Sequence, residues 1–548
     1  MCATIFACLL RLASMEARRF TRDESGALLI FGLVLFTLMA IMGGVALDLM
    51  RYEVTRVTLQ NTLDRSTLAA AALNQDLDPE TVVRDYFTKA GLADQLASVT
   101  VTESMNDRQV KAVGVVDTRP FFMHMIGIDS FVAKARATAR QSITNVEIVL
   151  VLDVSGSMSG AKLASLKASA VEFVDDMLAN DPENRVSISI VPYNAQVNIG
   201  PDLRAAYANI SNQHGVANVN CVEIPAAAFA SSAMPTDIAL PMMAYADIAY
   251  GTSLVNSAIS PLDVSFALPN FGHAFCKPST VNIIRLPSNN ATTLKAQINA
   301  LQAGGNTSIM LGMKWGLTMI DPASQPIYAG FMAGGQMSPV MAARPFDYDD
   351  TSSMKVIVLM TDGEHVAHNR VNDAYTTGAS PIWRSTGDGL YSIYHASQAG
   401  VNKFYVPHLN LWQAVAWNSG LGASQQNWQQ VWTNLKLSYV AWQFYGRALG
   451  TDSATRNTAY NAAVTAMRST FASVPAMDNM LQQSCTLAKA AGVIVYGIAF
   501  EAPVNGQQQI SSCASSTDAH YFNATDGAEM QTAFRTISSN LSQLKLTQ

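Results

Sequence analysis

The longest uncharged apolar run in the chain is Ala27–Leu47, ALLIFGLVLFTLMAIMGGVAL. At a helical rise of about 1.5 Å, roughly 21 residues match a hydrocarbon core of about 30 Å, so the run predicts a membrane span. Arg18, Arg19 and Arg22 stand before it. By the positive-inside tendency they hold residues 1–26 in the cytoplasm and send the bulk of the chain to the periplasm or cell surface. A buried core helix and a cleaved secretory signal are the alternatives; the second calls for a shorter apolar region and a small-residue cleavage site, which this run lacks. Met15, opening MEARRFTRDESG, is a second candidate start beside Met1. Beyond the span, Leu59, Leu63, Thr67 and Ala70 recur at helical spacing and predict a helical stalk over 48–76.

Over 77–144 a short helix, DPETVVRDYFTKAG, precedes VTVTES, QVKAVGVVDTR and FVAKARATARQS, whose period of two predicts antiparallel strands in a small α+β module. RPFFMHMIG, between the last two runs, reads as a cap or a strand crossing. From 145 to 548 the pattern changes: NVEIVLVLD, RVSISIVPYN, SMKVIVLMTD, GVIVYGIAF and HYFNAT alternate with helical stretches, and VNIIRL offers a further strand. Continuous apolar strands alternating with helices predict an α/β fold, a doubly wound and mostly parallel sheet of Rossmann-like type. Two segments exceed such a minimal domain, at about 196–280 and 366–476. The second holds Trp383, Trp412, Trp417, Trp428, Trp432 and Trp442. These read either as the insertion's own core or as a recognition surface.

Charged residues are only 14% of the 548 and the net charge is -6, which fits an exported surface and leaves no basic face for nucleic acid. Cys2 and Cys8 lie before any domain; Cys221, Cys276, Cys485 and Cys513 remain, an even number in an exported segment, and predict two disulfides. Their wide spacing argues against zinc.

The chemistry gathers around DVSGSM, where a strand feeds a helix through a Gly/Ser turn. Such a turn at a strand's C-terminal edge sets Asp153, Ser155 and Ser157 on one rim, and oxygen donors with few charges suit Mg²⁺, or Mn²⁺ and Ca²⁺. The bland alternative is a strand-to-helix turn capped by Ser155. A phosphohydrolase built on a strand-end Asp needs a second carboxylate two residues on, where Ser155 stands. His365 and His368 follow Asp362 as candidate further ligands, although loop histidines at that spacing are more often exposed to solvent.

Two resemblances bear on these residues. RRFTRDESGALLIFGLVLFTLMAIMGGVALDLMRYEVTRVTLQNTLDRSTLAAAA is similar to the N-terminal segment of TadE/TadG-like proteins of Tad (Flp) pilus assembly. That wider family's peptidase cuts after a glycine like Gly26 and favours a Glu five residues on; Phe31 stands there, so a retained anchor is expected. DVSGSM, the GGNT loop and TDGEH resemble the metal-ion-dependent adhesion site of von Willebrand factor A domains. The resemblance implies a metal site of Asp153, Ser155, Ser157, Thr307 and Asp362, with Ser155, Ser157 and Thr307 binding directly and the two aspartates mostly through water. It also implies a non-enzymatic, membrane-anchored adhesion protein whose protein partner supplies an Asp or Glu to the metal, with pilus-assembly components as candidate partners. The C-terminal ISSCASSTDAHYFNAT stretch resembles the same domains and implies a Cys485–Cys513 disulfide, which leaves Cys221 to pair with Cys276. A structural envelope scaffold with a non-adhesive metal site is the alternative.

Overall fold

The computed structural model describes residues 25–547 except 73–76, 105–106, 143–144, 180, 182, 247–275 and 351. It is a mixed α/β chain with an N-terminal apolar helix and several sheets, divided into two compact units, Met1–Ile143 with Lys545–Gln548, and Thr144–Leu544.

In the first unit one 47-residue helix, α1 (Ser25–Ala71), continues without a break through the apolar run. Among the described residues it is the one helix long and apolar enough to cross a membrane. Its second half, over the expected helical stalk, is covered by the small module. Leu59, Leu63 and Ala70 are buried against Val82, Val83 and Phe87 of α2 (Pro79–Lys89) and against one face of an antiparallel sheet of β1 (Leu96–Ser104), β2 (Asp107–Thr118) and β3 (Phe131–Ser142). The helical spacing of those apolar residues is therefore a packing face. The sheet meets it with alternate small residues, Ala133, Ala135, Ala137 and Ala139, which let the helix lie close. Asp78 caps α2 by accepting from Thr81 N at 2.8 Å, with Pro79 at the first helical position. RPFFMHMIG neither caps this core nor crosses it as a strand; its Phe121, Phe122, Met125 and Ile126 are exposed.

The second unit is built on a six-stranded sheet. Its strands are β4 (Asn145–Asp153), β5 (Val186–Tyr193), β6 (Arg285–Ser288), β7 (Ser353–Thr361), and two later ones, Ile494–Phe500 and Tyr521–Ala524. From edge to edge the order is Tyr521–Ala524, Ile494–Phe500, β7, β4, β5, β6. All neighbours are parallel except β5 and β6. The edge strand thus lies at Arg285–Ser288, a few residues beyond the start of VNIIRL, and runs antiparallel.

Alternate residues of each strand enter opposite cores, which is why the runs read as continuously apolar. Val149, Val151, Ile357 and Leu359 pack with the fully buried helix Ile309–Ile320 and with helix Val474–Ala490. Ile148, Leu150, Val356 and Val358 pack with α3 (Ala161–Leu178), helix Ala291–Ala300 and helix Gly527–Thr547. Helix Ile309–Ile320 approaches the sheet through Gly316, where an added Cβ would lie 2.5 Å from Val151 Cγ2.

The two insertions share a third core, in which Cys221, Tyr245 and Cys276 meet Trp428, Trp432 and Trp442. Of the six tryptophans these three are buried and Trp383, Trp412 and Trp417 are half-buried, so the set serves mainly to pack the insertions. Trp428 and Trp432 stack with centroids 5.3 Å apart. The second insertion carries a five-stranded antiparallel sheet and is closed at its base by a pair of strands, β8 (His368–Val371) and Arg468–Ala472. Both disulfides form, Cys221–Cys276 and Cys485–Cys513, with Cα separations of 5.8 and 5.1 Å. Closing a loop of 28 residues contributes roughly 3 kcal/mol.

Candidate metal centre

β4 and β7 are parallel neighbours, so the residues at their C-terminal ends emerge side by side. Asp153 ends β4 and Asp362 follows β7 directly; both are buried. Asp153 is fixed from two sides: Ser155 N donates to its Oδ1 at 2.8 Å and Thr361 Oγ1 to its Oδ2 at 2.7 Å. The Tyr193 hydroxyl stands 3.5 Å from the same Oδ2 while donating to Met360 O at 2.9 Å. Ser157 Oγ donates to Asp362 Oδ1 at 2.7 Å and lies 3.0 Å from Ser155 Oγ, which is itself 3.4 Å from that carboxylate oxygen. Asp153, Ser155, Ser157 and Asp362 therefore form one hydrogen-bonded cluster.

Thr307 joins them through its loop. Gly156 N donates to Gly305 O and Gly304 N to Val154 O, both at 2.8 Å, while Val366 N donates to Thr307 O at 3.0 Å. A Cβ added to Gly363 would stand 3.3 Å from Thr307 Oγ1. Gly305 has φ of +90°, and a side chain there would meet Asn194 Nδ2 at 2.9 Å, so this turn needs glycine.

Burial and the neighbouring Asp362 carboxylate push the Asp153 carboxyl up to about 6. Burial, with Asp153 beside it, holds the Tyr193 phenol well above its ordinary range. Among the described residues one cation pairs with this cluster, at Asp362: Lys162 Nζ lies 3.0 Å from Asp362 Oδ2 and 3.4 Å from Glu501 Oε2. Burial opposes its charge, yet Asp362 and Glu501 hold its ammonium above the usual range. Sequence reasoning missed Lys162, Thr361, Tyr193 and Glu501. For Lys162 a signal existed: a lysine in the first turn of a helix, where the macrodipole disfavours it, needs a local anion.

The histidines do not sit as the sequence suggested. Both are buried. His365 Nε2 accepts from Met310 N at 2.9 Å and its Nδ1 lies 2.7 Å from Asp478 Oδ1; His368 Nε2 is 3.3 Å from both Gln196 Nε2 and Glu223 Oε2. Their ring nitrogens are engaged with these partners, which are not among the five oxygen donors. Among the described residues no cluster of three or more His, Cys, Asp or Glu is arranged to hold a metal. The rim offers two carboxylates and three hydroxyls. That donor set fits a hard cation: the two carboxylates repel, and an ammonium already stands where positive charge is favoured.

Comparison with known proteins gives one family model. Residues 26–73 match the Flp pilus-assembly TadE/G-like family, a segment that coincides with most of α1. No curated protein matches the chain. Among solved structures, the chain is similar to the vWF domain of the type V pili tip protein Mfa5 from Porphyromonas gingivalis, at 14% identity and a TM-score of 0.32, over 74% of this chain and 98% of that one. It is similar to the pilus adhesin SpaC from Lactobacillus rhamnosus GG in its open conformation, at 10% identity and a TM-score of 0.28, over 81% of this chain and 33% of that one. The adhesive tip pilin GBS104 from Group B Streptococcus agalactiae gives 11% identity and a TM-score of 0.29, over 73% and 99%.

Proposed function

We propose that the chain is a membrane-anchored, pilus-associated binding protein. In this reading residues 27–47 span the membrane with the N-terminus cytoplasmic, and residues 145–548 form an exported, doubly wound von Willebrand A-type domain. Asp153, Ser155, Ser157, Thr307 and Asp362 would hold Mg²⁺, or Mn²⁺ or Ca²⁺. The carrying observation is the meeting of two buried carboxylates and the hydroxyls of Ser155 and Ser157 at adjoining strand ends, with a single lysine to balance them. A bound cation would supply a Lewis-acidic position for an Asp or Glu of a protein partner. The chain's own residues do the rest: Thr361 and the Ser155 amide orient Asp153, and exposed Ser157 opens the rim to solvent. The TadE/G-like match over 26–73 supports the pilus context.

The test is calorimetric titration of Mg²⁺ and Mn²⁺ into the purified chain and into an Asp153→Ala, Ser155→Ala variant with an unchanged circular dichroism spectrum. Heat of binding in the parent that is absent from the variant is the expected result; equal heats in both would sink the assignment. The ion pair between Lys162 and Asp362 favours a second reading, a scaffold whose rim is neutralised from within. That reading requires the parent to bind no divalent cation.

A further inference from the structure

Within the first unit, the loop between β2 and β3 is tied to α1 at the end of the apolar run. Asp48, the first charged residue after that run, accepts from three consecutive backbone amides: Phe121 N at 2.8 Å, Phe122 N at 2.7 Å and Met123 N at 2.8 Å. One turn earlier, Gly44 is buried beneath the Phe122 ring, where an added Cβ would lie 2.6 Å from Phe122 Cγ. The loop thus reaches back past the first charge, alongside residues that belong to the apolar run itself. Arg51 stacks its guanidinium 4.0 Å from the Phe121 centroid, at the level where charge resumes.

Apart from the exposed His124, the rest of the loop is apolar, and most of it is uncovered. Phe121 is 66% exposed, Phe122 44%, Met125 81% and Ile126 58%, between the polar ends Arg119 and Asp129. In water such a patch is costly. Beside a helix surface that already faces acyl chains it has a natural solvent, because aromatic and apolar side chains next to a span favour the boundary between headgroups and hydrocarbon.

We propose that Phe121, Phe122, Met125 and Ile126 insert into the headgroup boundary of the same bilayer that α1 crosses, so that the small α+β module is seated on the membrane surface. This rests on the membrane reading of Ala27–Leu47. Asp48 is the positioning residue: its carboxylate closes the three loop amides, which would otherwise enter an apolar layer without partners.

The test places a nitroxide spin label at Met125→Cys, and separately at Ile126→Cys, in a full chain carrying Cys2→Ser and Cys8→Ser, reconstituted in phosphatidylcholine–phosphatidylglycerol vesicles. Labels at Phe36→Cys, within the run, and Thr138→Cys, exposed on β3, are the references. Collision with dissolved oxygen reports a lipid environment, and collision with a water-soluble nickel chelate reports an aqueous one. The expected result is oxygen-dominated relaxation at 125 and 126, as at 36, with nickel dominating at 138. Nickel-dominated relaxation at 125 and 126 with oxygen still dominating at 36 overturns the seated loop and leaves the anchor standing. Nickel access at 36 as well overturns the anchor and the seated loop with it.

Discussion

The two ends of the β4–β7 pair make opposite uses of buried charge. At the N-terminal end Glu147 and Lys355 are register partners; Lys355 Nζ donates to Glu147 and to Ile320 O, and Phe346 N donates to the carboxylate. Arg344 adds a second cation nearby, and burial, opposed by Lys355, pushes the Glu147 carboxyl up. Every charge there has a partner inside the protein. At the C-terminal end of the same strands Asp153 and Asp362 stand together, and the partly exposed Lys162 pairs with Asp362 alone of the two and is divided between it and Glu501. The first end is closed; the second carries surplus negative charge at a rim. A buried ion pair in a sheet is thus a structural part when it balances and a candidate binding site when it does not.

The largest expected effect breaks the closed end. Lys355→Ala takes from buried Glu147 the one ammonium bonded to it, and should cost about 3–5 kcal/mol in denaturant unfolding. Replacing both, Glu147→Leu with Lys355→Met, should recover most of that loss; a double variant as unstable as the single one would show that the pair does more than neutralise itself. Next comes the open end. Mg²⁺ at a hundredfold excess over its Kd should stabilise the parent by about 2.7 kcal/mol and leave Asp362→Ala unmoved, as read by thermal unfolding.

A third arrangement, burial with no counter-ion among the described residues, sharpens the contrast. Burial, with Arg204 adding like charge, pulls the His214 imidazole down to about 4, and its Nδ1 accepts from Val216 N at 3.0 Å. The unfolded value is about 6.5, so between those values the unfolded chain binds the extra proton. Stability is full above about pH 6.5 and falls as pH drops toward about 4. The loss should be of order 2 kcal/mol after allowance for partial exposure, and His214→Gln should remove it from a pH series of unfolding midpoints. The smallest effect is Lys162→Ala, which takes the competing ammonium from Asp362. Mg²⁺ affinity should tighten severalfold, about 1 kcal/mol in titration, and weaker binding would show that the lysine supports the site.

Much of this was legible in the chain. The strands of the central sheet announce themselves because both faces are covered; Asp153 and Asp362 stand at the ends of neighbouring parallel strands, with Ser155 and Ser157 in the turn after the first and Thr307 in a helix-to-helix loop. What stayed hidden depends on partners far away in sequence. Leu59 and Leu63 have the spacing of any amphipathic helix, and nothing local says that β2 and β3 cover them. His365 and His368 look like loop residues until Asp478 and Glu223 arrive from elements over a hundred residues distant. Lys162 draws its meaning from Asp362, which follows β7 and lies 200 residues further along the chain.

The short strand pair at the base of the second insertion bears on the order of folding. His368–Val371 and Arg468–Ala472 zip together with Asn372 N donating to Met467 O, so the insertion begins and ends at one point. For the central sheet to form, the chain leaving Asp362 must return to helix Val474–Ala490, a span of about 110 residues if the insertion is open and about 15 if it is already closed. That difference lowers the entropic cost of closing the loop by about 2 kcal/mol. An insertion that folds first therefore acts as a splint, and loosening it by cutting back Trp432 should slow folding of the central sheet far more than it hastens its unfolding.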